Sequence, residues 1–119
     1  MGNNTNICVL AGTVTSEPDL RELRNGLRVL QFDLSTPLDG ENISVPVSWH
    51  DPTASQQTSF GLGDNVVIVG SVRRRFFRVG GQTQSRTEAI VESLVPQRRV
   101  KSARSLVAAT AERVMQAVE

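Results

Sequence analysis

Gly63-Asp64-Asn65-Val66-Val67-Ile68-Val69-Gly70-Ser71-Val72-Arg73-Arg74-Arg75-Phe76-Phe77 is the stretch whose reading decides the fold. It opens on a Gly-Asp turn, passes through a β-branched block, and changes at Arg73 into arginines followed by two phenylalanines. Val66 to Val69 reads as a strand buried on both faces, because β-branched side chains suit an enclosed, pleated surface. Gly70 interrupts the block, and a glycine inside a strand marks a bulge or a barrel corner. The outer half carries guanidinium groups for phosphates and flat rings on which bases stack, which is the chemistry that single-stranded nucleic acid requires. A buried root with a cationic, aromatic tip predicts a small β-barrel presenting a binding strand.

Outward from this stretch, turn signals divide the chain into short strands. Residues 7–14 form the first, followed by the turn-rich Ser16-Glu17-Pro18-Asp19. Asn25-Gly26 leads into a second strand, Leu27 to Ser35, in which Leu30, Phe32 and Leu34 share one side and Gln31, Asp33 and Ser35 the other. Asp39-Gly40 makes a hairpin into a third strand, Ile43 to Trp49. A short helix is expected next, with Asp51 as its N-cap, Pro52 at its first position and its end near Phe60. The stretch quoted above is the fourth strand, Gly80-Gly81 the next hairpin turn, and Thr83 to Val95 the fifth strand. Five short strands with glycine-rich turns and one mid-chain helix predict an all-β, five-stranded Greek-key barrel.

After Pro96 the pattern changes. Val100, Val107 and Val114 recur every seven residues, with Ala103, Thr110 and Ala117 between them. This is an amphipathic helix of about four turns, too short to be stable alone in water, so it must pack on the barrel, a sister subunit or a partner. The expected organisation is one domain over residues 1–95, with residues 96–119 a linker and C-terminal helix.

The net charge of +1 does not point to a polyanion, but its distribution does. Residues 1–70 hold three arginines against eight carboxylates, a net −5; residues 71–119 hold ten cations against four carboxylates, a net +6. Twelve of the thirteen cations are arginine, which favours planar stacking and forked phosphate contacts. The candidate binding residues are Arg73, Arg74, Arg75, Arg78 and Arg86 with Phe76 and Phe77, and beyond them Arg98, Arg99, Lys101 and Arg104. The bland alternative is a solvated strand end and a basic helix start that opposes the helix dipole. The direct continuation of the arginines into Phe76-Phe77 favours binding. Alternation along a strand puts Arg73, Arg75 and Phe77 on one face, with Arg74 and Phe76 on the other.

No chemistry is legible. His50 is the only histidine, without neighbours spaced as metal ligands, and no nucleophile motif or paired carboxylate appears. Gly61-x-Gly63 and Gly80-Gly81 lack the Lys-Ser/Thr ending of a phosphate loop. Cys8, the single cysteine, reads as a small core residue. The polar N-terminus and the lack of a long apolar run predict a soluble cytoplasmic, nucleoid-associated protein that needs no cofactor, metal or membrane.

Ile7-Cys8-Val9-Leu10-Ala11-Gly12, Glu17-Pro18-Asp19-Leu20-Arg21, Asn25-Gly26, Phe32-Asp33-Leu34-Ser35-Thr36, Val45-Pro46-Val47-Ser48-Trp49, Gly63-Asp64 to Gly70 and Arg73-x-Arg75 follow one another in an order that resembles the bacterial-type single-stranded-DNA-binding proteins. The resemblance covers roughly residues 4–95. It implies an OB-fold that binds single-stranded DNA with little sequence preference, in DNA replication, repair or recombination, as a homo-oligomer (dimer or tetramer) with the first strand near the contact. It places Arg73 and Arg75 at backbone-contacting positions, Phe77 where the family often has a stacking tryptophan, and Trp49 at a strand-three stacking position. Trp49 also shares a face with Val45 and Val47, which reads equally as core. Two other family aromatics are replaced, by Gly40 or a neighbour and by Ile43, and the tail with an acidic tip has no counterpart, so a short tail-less paralogue is expected. The alternative is an OB-fold interaction or assembly module, a primosome-like accessory subunit with weak or lost DNA binding, whose protein partner meets helix 100–118.

Overall fold

The computed structural model describes residues 4–118; Met1–Asn3 of the expected domain and Glu119 of the expected tail segment lie outside them. Six strands form one sheet: β1 (Cys8–Val14), β2 (Asp19–Glu22), β3 (Arg28–Leu38), β4 (Glu41–His50), β5 (Asn65–Val79) and β6 (Gln82–Pro96). A one-turn helix α1 (Ala54–Gln57) lies between β4 and β5, and α2 (Val100–Ala117) follows β6. The strand order is β1-β5-β6-β4-β3-β2, and β1 also pairs with β3, so the sheet curls back on itself. Two contacts make that closure: a parallel β4–β6 ladder at Val47–Ala89 and Ser48–Ile90, and antiparallel β1–β3 pairs at Thr13–Ser35 and Val14–Leu34.

Two glycines allow the curl. A Cβ on Gly70 would collide with the carbonyl oxygen of Ile90, and the β5–β6 register shifts at Val69/Gly70, so the expected bulge lies there. A Cβ on Gly12 would likewise strike the carbonyl oxygen of Ser35, across the β1–β3 seam. The hairpins are tight because Asp39-Gly40 and Gly80-Gly81 take positive φ at both central positions, the geometry that matches strand twist.

Leu30, Phe32 and Leu34 of β3 face Val45, Val47 and Trp49 of β4 across the ladder, and Val14, Val66, Ile68, Ala89 and Val91 complete the core. These side chains carry the hydrophobic stabilisation, at about 25 cal/mol for each Å² of apolar surface removed from water.

Two expectations are corrected. The strand count is six, because Asp19–Glu22, of which only Asp19 lies in the expected turn and the rest was assigned to no element, pairs with β3 from Asp19–Gln31 to Glu22–Arg28. All four residues are exposed, so this edge strand rests on backbone pairing and leaves no apolar alternation to read. The mid-chain helix is shorter than expected, and its N-cap is Thr53 rather than Asp51. The Thr53 hydroxyl accepts from the Gln56 amide while the Gln56 side chain accepts from the Thr53 amide, a complete capping box. Asp51 instead takes a positive φ of 54°, a turn conformation in which it cannot cap. Of the three expected positions for the C-terminal helix, α2 takes the barrel, packing on β5 and β6 through part of its apolar surface. Ala103 and Thr110 are buried, whereas Val100 and Val107 of the valine seam remain exposed. An ion pair of Arg113 with Glu92 at 2.8 Å ties the helix to β6.

Candidate nucleic-acid interface

Beyond the bulge, β5 and β6 leave the barrel as a two-stranded arm, and the residues of its outer half are exposed on both faces. Cross-strand partners share a face. One face carries the pairs Arg73–Glu88, Arg75–Arg86 and Phe77–Gln84; the other carries Arg74–Thr87, Phe76–Ser85 and Arg78–Thr83. The structure thus gathers seven of the sequence candidates on one arm and divides them between its faces. All of them are exposed except Arg75, which is half-buried.

Each face repeats the same unit, a guanidinium beside a phenyl ring. Arg74 lies 5.1 Å from the Phe76 ring centroid, and Arg75 lies 5.9 Å from that of Phe77, both within cation–π reach. Phe76 is 63% exposed and Phe77 37%, so each keeps ring surface for a ligand. The guanidinium groups are held differently. On the Phe76 face Arg74 donates to the Ser85 hydroxyl at 3.2 Å and Arg78 to the Gly81 carbonyl at 2.6 Å. On the Phe77 face Arg73 and Arg86 make no ion pair among the described residues, while Arg75 lies 3.5 Å from the Glu88 carboxylate.

Glu88 escaped the sequence reading. It lies at the root of the arm, between Arg73 across the ladder and Ser48 on β4, and is 4% exposed. The Ser48 hydroxyl donates to its Oε1 at 2.6 Å. Ser48 alternates with core residues Val47 and Trp49, and Glu88 precedes core residue Ala89, so both lie on the face turned away from the core. The only signal in the sequence was a single acid among the strand cations. Its partners are a neutral hydroxyl and a half-exposed guanidinium, and removing either leaves part of a buried charge uncompensated.

The stacking candidate of the expected third strand lies elsewhere. Trp49 is 5% exposed, pairs with Leu30 across the ladder and packs on Phe60, with ring centroids 6.3 Å apart. Phe60 also packs on Phe32 at 5.0 Å. The core reading of Trp49 therefore matches its position, and Phe60, passed over as the end of a helix, is its anchor. Only an edge of Trp49 borders a polar recess with Ser55, Gln56, Glu92 and Arg99.

The second basic cluster is not part of the arm. Arg98, Arg99, Lys101 and Arg104 flank the start of α2, and β6 carries the chain about 33 Å from Arg86 to Pro96 at ~3.3 Å per residue. Arg98 there meets Asp64 at 3.9 Å and the Ser59 carbonyl at 3.4 Å. Burial pushes the Cys8 thiol of β1 above its ordinary value, against a smaller opposing effect of backbone hydrogen bonds, so it is a poor nucleophile. Among the described residues no three His, Cys, Asp or Glu side chains cluster as metal ligands, and no helix is long and apolar enough to cross a membrane.

A family model described as the single-strand binding protein family matches residues 5–97. No curated protein matches the sequence. Among solved structures, the chain is similar to that described as "Plasmodium falciparum SSB complex with ssDNA", with 22% sequence identity and a TM-score of 0.68, over 78% of this chain and 95% of that one.

Proposed function

The chain belongs to the single-strand binding protein family, and from that premise we propose that it binds single-stranded DNA with little sequence preference through the β5–β6 arm. The observation that carries this reading is the arm itself: five arginines and two exposed phenylalanines on a two-stranded ribbon, open on both faces. Arg73 and Arg86 are the main phosphate contacts, with Arg74 and Arg78 on the opposite face. Phe77 is the principal base platform and Phe76 the secondary one. Neither contact reads base edges, so the binding is tolerant of sequence. The protein acts as a non-enzymatic binder in DNA replication, repair or recombination, associated with the nucleoid. The Plasmodium falciparum complex with ssDNA, similar to this chain in fold, supports the same reading.

The active unit is a homo-oligomer. β1 pairs with β5 along one edge, but among the described residues its other edge has a ladder partner only at Thr13 and Val14, which leaves the backbone groups of Cys8 to Ala11 for a second copy. Exposed Val9 on β1 and Val100 and Val107 on α2 extend that surface with apolar area. Sedimentation velocity tests this, with a dimer or tetramer expected and a monomer at micromolar concentration contrary to it.

Electrophoretic shift of oligothymidylate and of a duplex of equal length tests the function. Preferential retardation of the single strand is expected; equal or absent retardation would leave the family's fold without this activity.

A further inference from the structure

We propose that Glu88 is a positioning residue that reserves Arg75 for the Phe77 platform and withholds it from phosphate. This rests on the single-strand-binding reading and assigns different tasks to cations that the sequence presents as equivalent.

The argument starts from charge. Arg73, Arg75 and Arg86 share one face, with Arg75 and Arg86 directly opposite, an arrangement that like-charge repulsion disfavours. A carboxylate placed in a phosphate-binding surface opposes the ligand, yet Glu88 is both there and almost wholly buried. Its geometry shows what it is used for. Oε1 accepts from the buried Ser48 hydroxyl at 2.6 Å, which fixes the carboxyl group to the rigid β4–β6 junction. Oε2 then faces the inner edge of the Arg75 guanidinium, 3.5 Å from Nε. That nitrogen is buried and makes no hydrogen bond, so its partner is the charge of Glu88 alone. From this anchored edge the guanidinium lies beside the Phe77 ring.

The chain Ser48–Glu88–Arg75–Phe77 therefore runs from the barrel to the platform. It presents Phe77 with one side braced, and it cancels the charge of Arg75 locally. Arg73 and Arg86, which have no acidic partner among the described residues, remain to meet phosphates.

The slope of log affinity against log salt counts phosphate contacts, at about 0.7 each on single strands. Oligothymidylate binding is measured across a salt series for wild type, Glu88→Gln, Arg75→Gln and the double variant, after thermal unfolding has established that each is folded. Glu88→Gln retains an acceptor for Ser48 but releases Arg75, and the slope is expected to steepen by about 0.7. Arg75→Gln is expected to change the slope little when Glu88 is present, and to lower it by about 0.7 in the Glu88→Gln background. A merely structural role for Glu88 would change stability without this dependence on background. An equal loss of slope from Arg75→Gln in both backgrounds would overturn the inference and leave the function standing. If Glu88→Gln does not fold, Arg75→Gln alone carries the test, with an unchanged slope expected and a loss of about 0.7 contrary. No salt-sensitive binding by the wild-type protein would overturn the functional reading, and this inference with it.

Discussion

Trp49 and Phe60 stand 6.3 Å apart, ring centroid to ring centroid, with their planes 31° from parallel, inside the barrel core. β4 carries Trp49 opposite Leu30, and the segment after α1 brings Phe60 beneath it, so the indole fills space between sheet and loop. Trp49 fluorescence is expected to be blue-shifted, poorly accessible to acrylamide, and little altered by saturating oligothymidylate. Trp49→Ala should cost about 3–5 kcal/mol of stability through the cavity it leaves. Strong quenching by oligothymidylate would put the indole in the binding site and contradict this placement.

Phe77 and Phe76 are expected to contribute unequally. Phe77 shares its face with Arg73 and Arg86, whereas the guanidiniums beside Phe76 are already bonded to Ser85 and Gly81. Loss of a stacking platform costs about 1–3 kcal/mol per base, or roughly 5- to 150-fold in affinity. Phe77→Ala should fall in that range and Phe76→Ala below it, as measured by titration at fixed salt. The reverse order would move the principal track to the other face.

Gly70 tests the barrel corner. Its φ is not positive, so any effect of substitution is steric rather than conformational. Gly70→Ala should destabilise by about 1–3 kcal/mol as β5 and β6 are forced apart at Ile90. Gly61→Ala, where nothing lies within 4 Å of the added carbon, should be nearly neutral. Calorimetric midpoints for the two variants check this; similar midpoints would contradict the packing described.

These comparisons show which features were legible in the sequence. The bulge at Gly70, the tight turns at Asp39-Gly40 and Gly80-Gly81 and the buried face of β3 follow from local rules that tertiary context does not override. The division of the arm into two faces follows equally from alternation. β2 was not legible, because four exposed residues on an edge carry no apolar period. The end of β4 was ambiguous, since one face of a barrel strand looks alike whether its aromatic residue packs inward or is rotated outward; only pairing with Leu30 distinguishes them. Glu88 was invisible because its role depends on Ser48, 40 residues earlier in the chain, which the parallel β4–β6 ladder brings beside it. On α2 the heptad pattern located the helix but not its buried side, because apolar residues occupy more of its surface than the barrel covers.

The most direct test of the central claim is the salt dependence of labelled oligothymidylate binding, followed by fluorescence anisotropy, for wild type and for Arg73→Ala/Arg86→Ala. With Arg73, Arg74, Arg78 and Arg86 as phosphate contacts, log affinity should fall with log salt at a slope of about −2.8 per bound chain, ~0.7 for each contact. The double variant should bind more weakly, with a slope near −1.4. A slope near zero for wild type, or a double variant indistinguishable from it, would contradict the assignment of the arm as the surface that holds single-stranded DNA.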